Sequence, residues 1–296
     1  MADGTPGLVV GCGYLGARVA AAWRSAGRDV YALTRTRPAE LAGRGLTPVV
    51  GDVTDPASLE QLRELPPLGT LLYAVGFDRR AGRPMRGVYV GGLANVLAEL
   101  PPVERILYVS STGVYGQTGG EWVTEDSPTV PLEESGRVVL AAEEILRRLR
   151  PDAVVLRFAG IYGPDRLLRG AAVRAGEPYI GDAAKFLNLI HVADGVRAVR
   201  AAEAAGPGAT YNVADGSPVT RRDFYTTLAE LLHAPPAAFR PADAPTVEAN
   251  RRIDPTRVRA ELGFAPMYPT WREGLAASLS EPRPSGSGRS PSEGPV

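Results

Sequence analysis

The chain is predicted to be an α/β protein built on a doubly wound parallel sheet, with a small C-terminal cap that would hold substrate. Three observations carry this expectation. Short apolar runs alternate with helical patterns up to Gly163, the signature of a parallel sheet covered on both faces. A glycine run, "GCGYLG" from Gly11 to Gly16, closes the first apolar run and opens the first helical pattern, which favours an open wound sheet over a barrel. After Gly163 the alternation becomes irregular, and the remaining segments are too small for an independent core.

The elements follow in order. "GLVVGCG" is a strand running into a turn, and "LGARVAAAWRSAG" a helix closed by Gly27. "DVYALTR" and "LTPVVGD" are the second and third strands. The next helix starts at "TDPASLEQL", with Asp55 as N-cap and Pro56 at its first position. "GTLLYAVG" is the fourth strand, and "RGVYVGGLANVLAEL" its helix. "RILYVSSTGVYG" is the fifth strand. The helix after it, opening at "EESGRVVLAAEEIL", places Val139, Ala142, Ile145, Leu146 and Leu149 on one face. "DAVVLRFAGIYG" is a sixth strand.

Beyond it, "FLNLIHVADGVRAVRAAEAAG" reads as a short strand and a helix, and "ATYNVADGSPVT" as a strand and turn. "RRDFYTTLAELLHA" is a helix begun at Thr220; "DPTRVRAELGF" and "YPTWREGLAASLS" are two further short helices. The expected organisation is therefore residues 1–163 as the nucleotide-binding (Rossmann) domain and 164–281 as the remaining sheet elements plus the cap. Residues 282–296, rich in Pro, Gly and Ser, are expected to be a disordered tail.

Composition narrows the function. Lys and Arg total 33 against 33 Asp and Glu, which argues against a nucleic-acid surface. Lys185 is the only lysine, so any chemistry that needs one has a single candidate. Cys12 is the sole cysteine and permits no internal disulfide. With no signal-like N-terminus and no apolar run near the roughly 20 residues of a membrane span, a cytoplasmic protein with no membrane partner is expected. His191 and His233 have no metal-ligand spacing to another His, Cys or Glu, so no metal is expected. His191 takes a structural place at a strand-to-helix junction, and His233 ends a helix at the surface.

"GCGYLG" fits G-x-G-x-x-G between a strand and a helix, where glycines allow the tight turn and let a pyrophosphate approach the helix N-terminus. The cofactor-binding residues expected here are Gly11, Gly13, Tyr14, Leu15 and Gly16. An acidic residue about 20 positions on would hold the ribose hydroxyls of NAD. Thr34 takes that place, followed by Arg35 and Arg37, and a guanidinium suits a phosphate. NADP(H) is therefore expected over NAD(H). Asp52 and Val53 would meet the adenine edge, and Ala74, Val75 and Gly76 the middle of the cofactor.

Taken together, "GCGYLG", "GDVTD", "YVGGLANVL", "YVSSTGVYG", "RFAGIYGP", "IHVADGVRAV" and "YNVADGSPVT" resemble the NAD-dependent epimerase/dehydratase family of extended short-chain dehydrogenase/reductases. The resemblance runs to about residue 280 and points to an atypical branch. Val10 stands where extended members usually place the first glycine of G-x-x-G-x-x-G. Family members carry a Tyr, and four residues on a Lys, on the helix after the fifth strand; the cation lowers the phenol's pKa so that it exchanges a proton with substrate. Alignment of "VLAAEEIL" puts Ser135 and Val139 at those two positions.

The resemblance assigns Ser111 as the catalytic hydroxyl and Arg157, in "RFAGIYG", to the nicotinamide side. Tyr115, near the same space but without a neighbouring cation, would donate a hydrogen bond and serve poorly as a base. Arg137 would supply positive charge or be an exposed helix arginine. Glu121 and Glu125 are expected as loop caps. Arg251 and Arg252 lie where the family's cap contacts substrate phosphates.

The resemblance implies an NAD(P)-dependent oxidoreductase or epimerase acting on a small hydroxylated or nucleotide-sugar-like substrate. A different reading stays open: a cofactor-holding sensor or scaffold without the Tyr/Lys chemistry. Helices near 85–100 and 136–150 are where family members often form homodimers.

Overall fold

A computed structural model of the chain describes residues 4–242 and 247–280. The expected tail at 282–296 lies outside the described residues. Seven strands form one sheet: β1 (Gly7–Val10), β2 (Val30–Thr34), β3 (Thr47–Val50), β4 (Leu68–Tyr73), β5 (Val103–Ser111), β6 (Val154–Phe158) and β7 (Thr210–Val213). Their spatial order is β7-β6-β5-β4-β1-β2-β3, and every pairing is parallel. The order reverses between β1 and β4, so the crevice for a ligand opens at the C-terminal ends of those two strands.

Strand residues alternate between two cores. Val9, Leu72, Leu107 and Leu156 face one layer, built on helices α1 (Gly16–Ser25) and α4 (Val192–Ala202). Leu8, Val10, Leu71, Tyr73 and Val155 face the other, where α2 (Gly92–Glu99) and α3 (Glu134–Leu149) pack. Because both faces are covered, the strands read as continuous apolar runs.

Several elements differ from expectation. The segment after Asp55 is a 3-10 helix, Pro56–Glu64, and Asp55 gives it no side-chain cap. The helix before β5 opens with a π-helical turn, Gly87–Gly91, before α2 proper. "DAVVLRFAGIYG" divides in two: β6 stays in the sheet, whereas Gly160–Tyr162 leaves it and pairs in parallel with Leu189–His191. The buried face of α3 consists of Gly136, Val138, Ala142, Glu143 and Leu146, with Leu149 exposed, because a buried ion pair at Glu143 rotates the helix from the all-apolar stripe. The C-terminal segments do gather an apolar cluster, with Tyr162, Phe224, Leu228, Trp271 and Leu275 at its centre.

Candidate active site

Gly11 has a positive φ of 98°, and a Cβ there would overlap the Ala74 carbonyl at the end of β4. A Cβ on Gly16 would overlap the Gly11 carbonyl oxygen. Gly13 differs, since a Cβ there would meet nothing within 4 Å. The first and third glycines thus serve close packing, while the second leaves open the surface that a pyrophosphate needs. Gly76, past the end of β4, is open in the same way. This cradle fits a dinucleotide. Leu15 is buried in the core, and the Tyr14 hydroxyl donates to the Pro164 carbonyl at 2.7 Å, with the Arg18 guanidinium 4.1 Å from its ring. Burial pushes the Cys12 thiol up to about 11 against the pull of Arg37 and Arg44, so it stays a neutral small side chain.

The C-terminal ends of β2 and β3 are rich in cations. Thr34 is buried and its Oγ1 accepts the Arg37 backbone N–H at 3.1 Å, while Arg37 Nη2 donates to the Cys12 carbonyl at 2.8 Å. Arg35 lies 4.0 Å from the Asp52 carboxylate. Asp52 Oδ1 accepts both the backbone N–H and the hydroxyl of Thr54, and its Oδ2 pairs with Arg83 at 2.9 Å. Burial raises the Asp52 pKa, but the Thr54 hydrogen bonds and the two guanidiniums outweigh it and hold the carboxyl below its ordinary value. Arg83 was missed in the sequence; its only signal was the basic run "RRAGRPMR". Val53 packs its side chain where a Cβ on Gly92 would fall, and its carbonyl accepts from Asn95.

At the other end, Ser111 is the last residue of β5, and its Oγ accepts the Gly113 N–H at 3.0 Å. That leaves the hydroxyl proton free for another acceptor. The turn Thr112–Val114 is pressed against the start of α3: a Cβ on Gly136 would overlap the Gly113 carbonyl, so only glycine allows this approach. Ser135 lies one residue before, with its Oγ 3.4 Å from Glu133. Val139 packs on the cluster of Val114, Tyr115 and Ala159.

Several candidates are held elsewhere. Tyr115 is fully buried; its hydroxyl donates to Asn212 Oδ1 at 2.8 Å and accepts from Arg157 Nη1 at 2.9 Å. Burial raises its pKa further than Arg157 and these bonds lower it, so the phenol is neutral and already committed. Arg157 is not free to face a nicotinamide, because its guanidinium is paired with Glu143. Arg137 is exposed and donates to the Leu132 carbonyl at 2.7 Å. Glu121 caps its loop through the Gly119 N–H, while Glu125 reaches across to accept the Asn212 backbone N–H of β7.

His191 accepts the Ala193 N–H as the cap of α4, its ring against Tyr162 and Tyr268, and His233 stands exposed at the end of its helix with a φ of 51°. Among the described residues no three His, Cys, Asp or Glu gather as a metal site. Nor is any helix among them long and apolar enough to cross a membrane.

The cap contributes a cavity of about 640 Å³ whose wall includes Thr118, Lys185, Arg222, Arg240 and Asn250. Lys185 is buried and paired with Glu248, which Arg221 also approaches at 3.3 Å. Arg251 donates to the Thr112 carbonyl at 2.6 Å, and burial brings its pKa down to about 10 against the pull of Glu133. Arg252 donates to the Gly120 carbonyl and lies between the Trp122 and Phe186 rings. Both arginines brace the loop after β5.

A parallel sheet with a packed glycine turn at its switch point defines the NAD(P)-binding class of α/β proteins. Within that class the chain belongs to the NAD dependent epimerase/dehydratase family, which matches residues 8–214. It is similar to a UDP-glucose 4-epimerase of Mycolicibacterium smegmatis, 30% identical over 62% of this chain and 63% of that protein, so it spans less than two thirds of that relative's length. A putative NAD-dependent epimerase/dehydratase from Methylobacillus flagellatus has a structure with a TM-score of 0.76 and 31% identity, covering 93% of this chain and 97% of that one. MoeE5 in complex with UDP-glucose and NAD has a TM-score of 0.78 at 26% identity, again over 93% of this chain and 97% of its own.

Proposed function

We propose that this chain is a cytoplasmic, NADP(H)-preferring oxidoreductase or epimerase acting on a nucleotide-sugar-like substrate. The observation that carries the substrate class is the cap cavity, in which Arg222 and Arg240 offer cations to a diphosphate beside Asp182 and the Lys185–Glu248 pair, and Thr118 connects its wall to the loop after Ser111. The relatives' complexes with UDP-glucose support the same class. The cluster of Arg35, Arg37 and Arg83 favours a 2′-phosphate, although MoeE5 is described with NAD.

The cofactor would supply or accept a hydride when bound. Gly13 and Gly76 give it room, and the arginines orient its adenosine end. Ser111 donates its free proton to the reacting oxygen of the substrate. Tyr115 keeps its place in the buried network, so the net proton passes between substrate and water through the Ser111 hydroxyl.

A second reading, a dinucleotide-binding sensor, is favoured by one specific observation: the only lysine is paired in the cap with Glu248, and no phenol stands with a lysine on α3. Purified protein should bind NADPH at least about tenfold more tightly than NADH. It should then convert UDP-glucose or a related nucleotide sugar, followed by nicotinamide absorbance and product NMR. Tighter binding of NADH overturns the cofactor preference. Firm binding without turnover on a broad panel selects the sensor.

A further inference from the structure

The face of the sheet beneath α2 and α3 carries three neighbouring phenols. Tyr73 and Tyr108 stack with ring centroids 5.8 Å apart and are sealed in the core. Tyr89 is only partly buried, and it sits in the π-helical turn Gly87–Gly91 that packs against α3. Such turns recur at functional sites because the extra residue reorients a side chain. The Tyr89 ring lies 6.3 Å from that of Phe77, tilted at 38° to it. Phe77 directly follows the open Gly76, so Tyr89 stands at the C-terminal end of β4.

Strand order says which part of a dinucleotide passes there. The pyrophosphate belongs at the glycine turn after β1, and the adenosine half lies toward β2 and β3, where Arg35 and Asp52 are. The other half must therefore run over β4 toward Ser111 at the end of β5. A neutral phenol carries a proton to donate. Burial raises the Tyr89 pKa more than the Phe77 backbone lowers it, so the group is a donor at neutral pH and a poor base.

We propose that the Tyr89 hydroxyl binds the nicotinamide-riboside half of the dinucleotide, donating to a ribose hydroxyl, and holds that half in place where α3 carries Val139. The inference rests on the reading of this chain as a dinucleotide-binding protein.

The test compares wild type and Tyr89→Phe in titrations with the tighter of NADPH and NADH and with its adenosine half, 2′,5′-ADP or ADP. The variant should bind the dinucleotide about five- to tenfold more weakly, the share of one hydrogen bond, and the adenosine half unchanged. Equal dinucleotide affinity overturns the proposal. So does a parallel loss for both ligands, which would mean that the hydroxyl serves the fold.

Hydrogen exchange on the wild type gives a readout that does not depend on the variant folding. The dinucleotide should slow exchange in residues 87–91 and the adenosine half should not; bound dinucleotide without that protection overturns the assignment. A wild type that binds neither NADPH nor NADH refutes the dinucleotide reading itself, an outcome distinct from failure at Tyr89.

Discussion

The Arg157 guanidinium forms two hydrogen bonds to the Glu143 carboxylate, from Nε at 3.1 Å and from Nη2 at 2.8 Å, joining β6 to α3 inside the protein. Ser110 adds its hydroxyl to the same carboxylate, and Arg157 continues through Tyr115 to Asn212 on β7. Burial opposes the charge on Arg157, but Glu143 outweighs it and keeps the guanidinium ionised. Glu143→Ala leaves that cation buried and unpaired, at a cost of about 3–5 kcal/mol. Urea unfolding measures it; a loss under about 1 kcal/mol would mean that water reaches the pair.

Two neighbouring glycines should respond differently to the same methyl. Gly16→Ala forces a Cβ into the Gly11 carbonyl, so it should lower the melting temperature and abolish dinucleotide binding together. Gly13→Ala adds a methyl in open space, so the fold should keep its melting temperature while the pyrophosphate loses its approach. Calorimetry with a cofactor titration separates the two, and a destabilised Gly13→Ala would contradict the open surface.

Arg35→Ala and Arg83→Ala should each weaken NADPH by about tenfold and leave NADH nearly unchanged, since both guanidiniums border Asp52 at the adenosine end. Equal losses for the two cofactors would assign these arginines to holding Asp52 alone.

Ser111→Ala removes a hydroxyl whose proton no group among the described residues accepts, while the Gly113 N–H loses its bond. If the chain turns over substrate, the rate should fall by about 10²-fold or more with cofactor affinity maintained. Full activity in this variant would remove Ser111 from the chemistry.

Asp215 supplies the pH dependence. One carboxylate oxygen accepts the Ser217 N–H at 2.8 Å, the other is buried without a hydrogen-bond partner among the described residues, and burial raises the pKa from 3.8 to about 7. Between those values the folded state binds the proton that the unfolded state has released. The contribution to stability is full below 3.8 and is lost as pH rises through about 7. Asp215→Asn should flatten that decline in urea midpoints measured across the window. An unchanged slope would mean that Asp215 is ionised throughout.

The legible parts were those governed by local rules. The strand–glycine–helix run located the tight turn after β1 because backbone geometry at Gly11 and Gly16 admits no side chain. Thr220 capped its helix as read, through the Asp223 N–H. Tyr115 and Arg157 were not legible as a buried pair, because their partners Asn212 and Glu143 come from distant elements. Arg83 likewise reaches Asp52 only because the loop after β4 folds back toward the end of β3.

By itself the sequence determined the alternation of strands and helices and the glycine turn, since periodicity and backbone sterics act within a few residues. Only the tertiary structure decided which polar groups are spent on one another. Burying Glu143 requires a cation and burying Tyr115 requires partners for its hydroxyl, so both were satisfied across the sheet. That long-range pairing took Tyr115 and Arg157 into the interior and left Ser111 at the end of β5 and Tyr89 partly buried in the turn Gly87–Gly91.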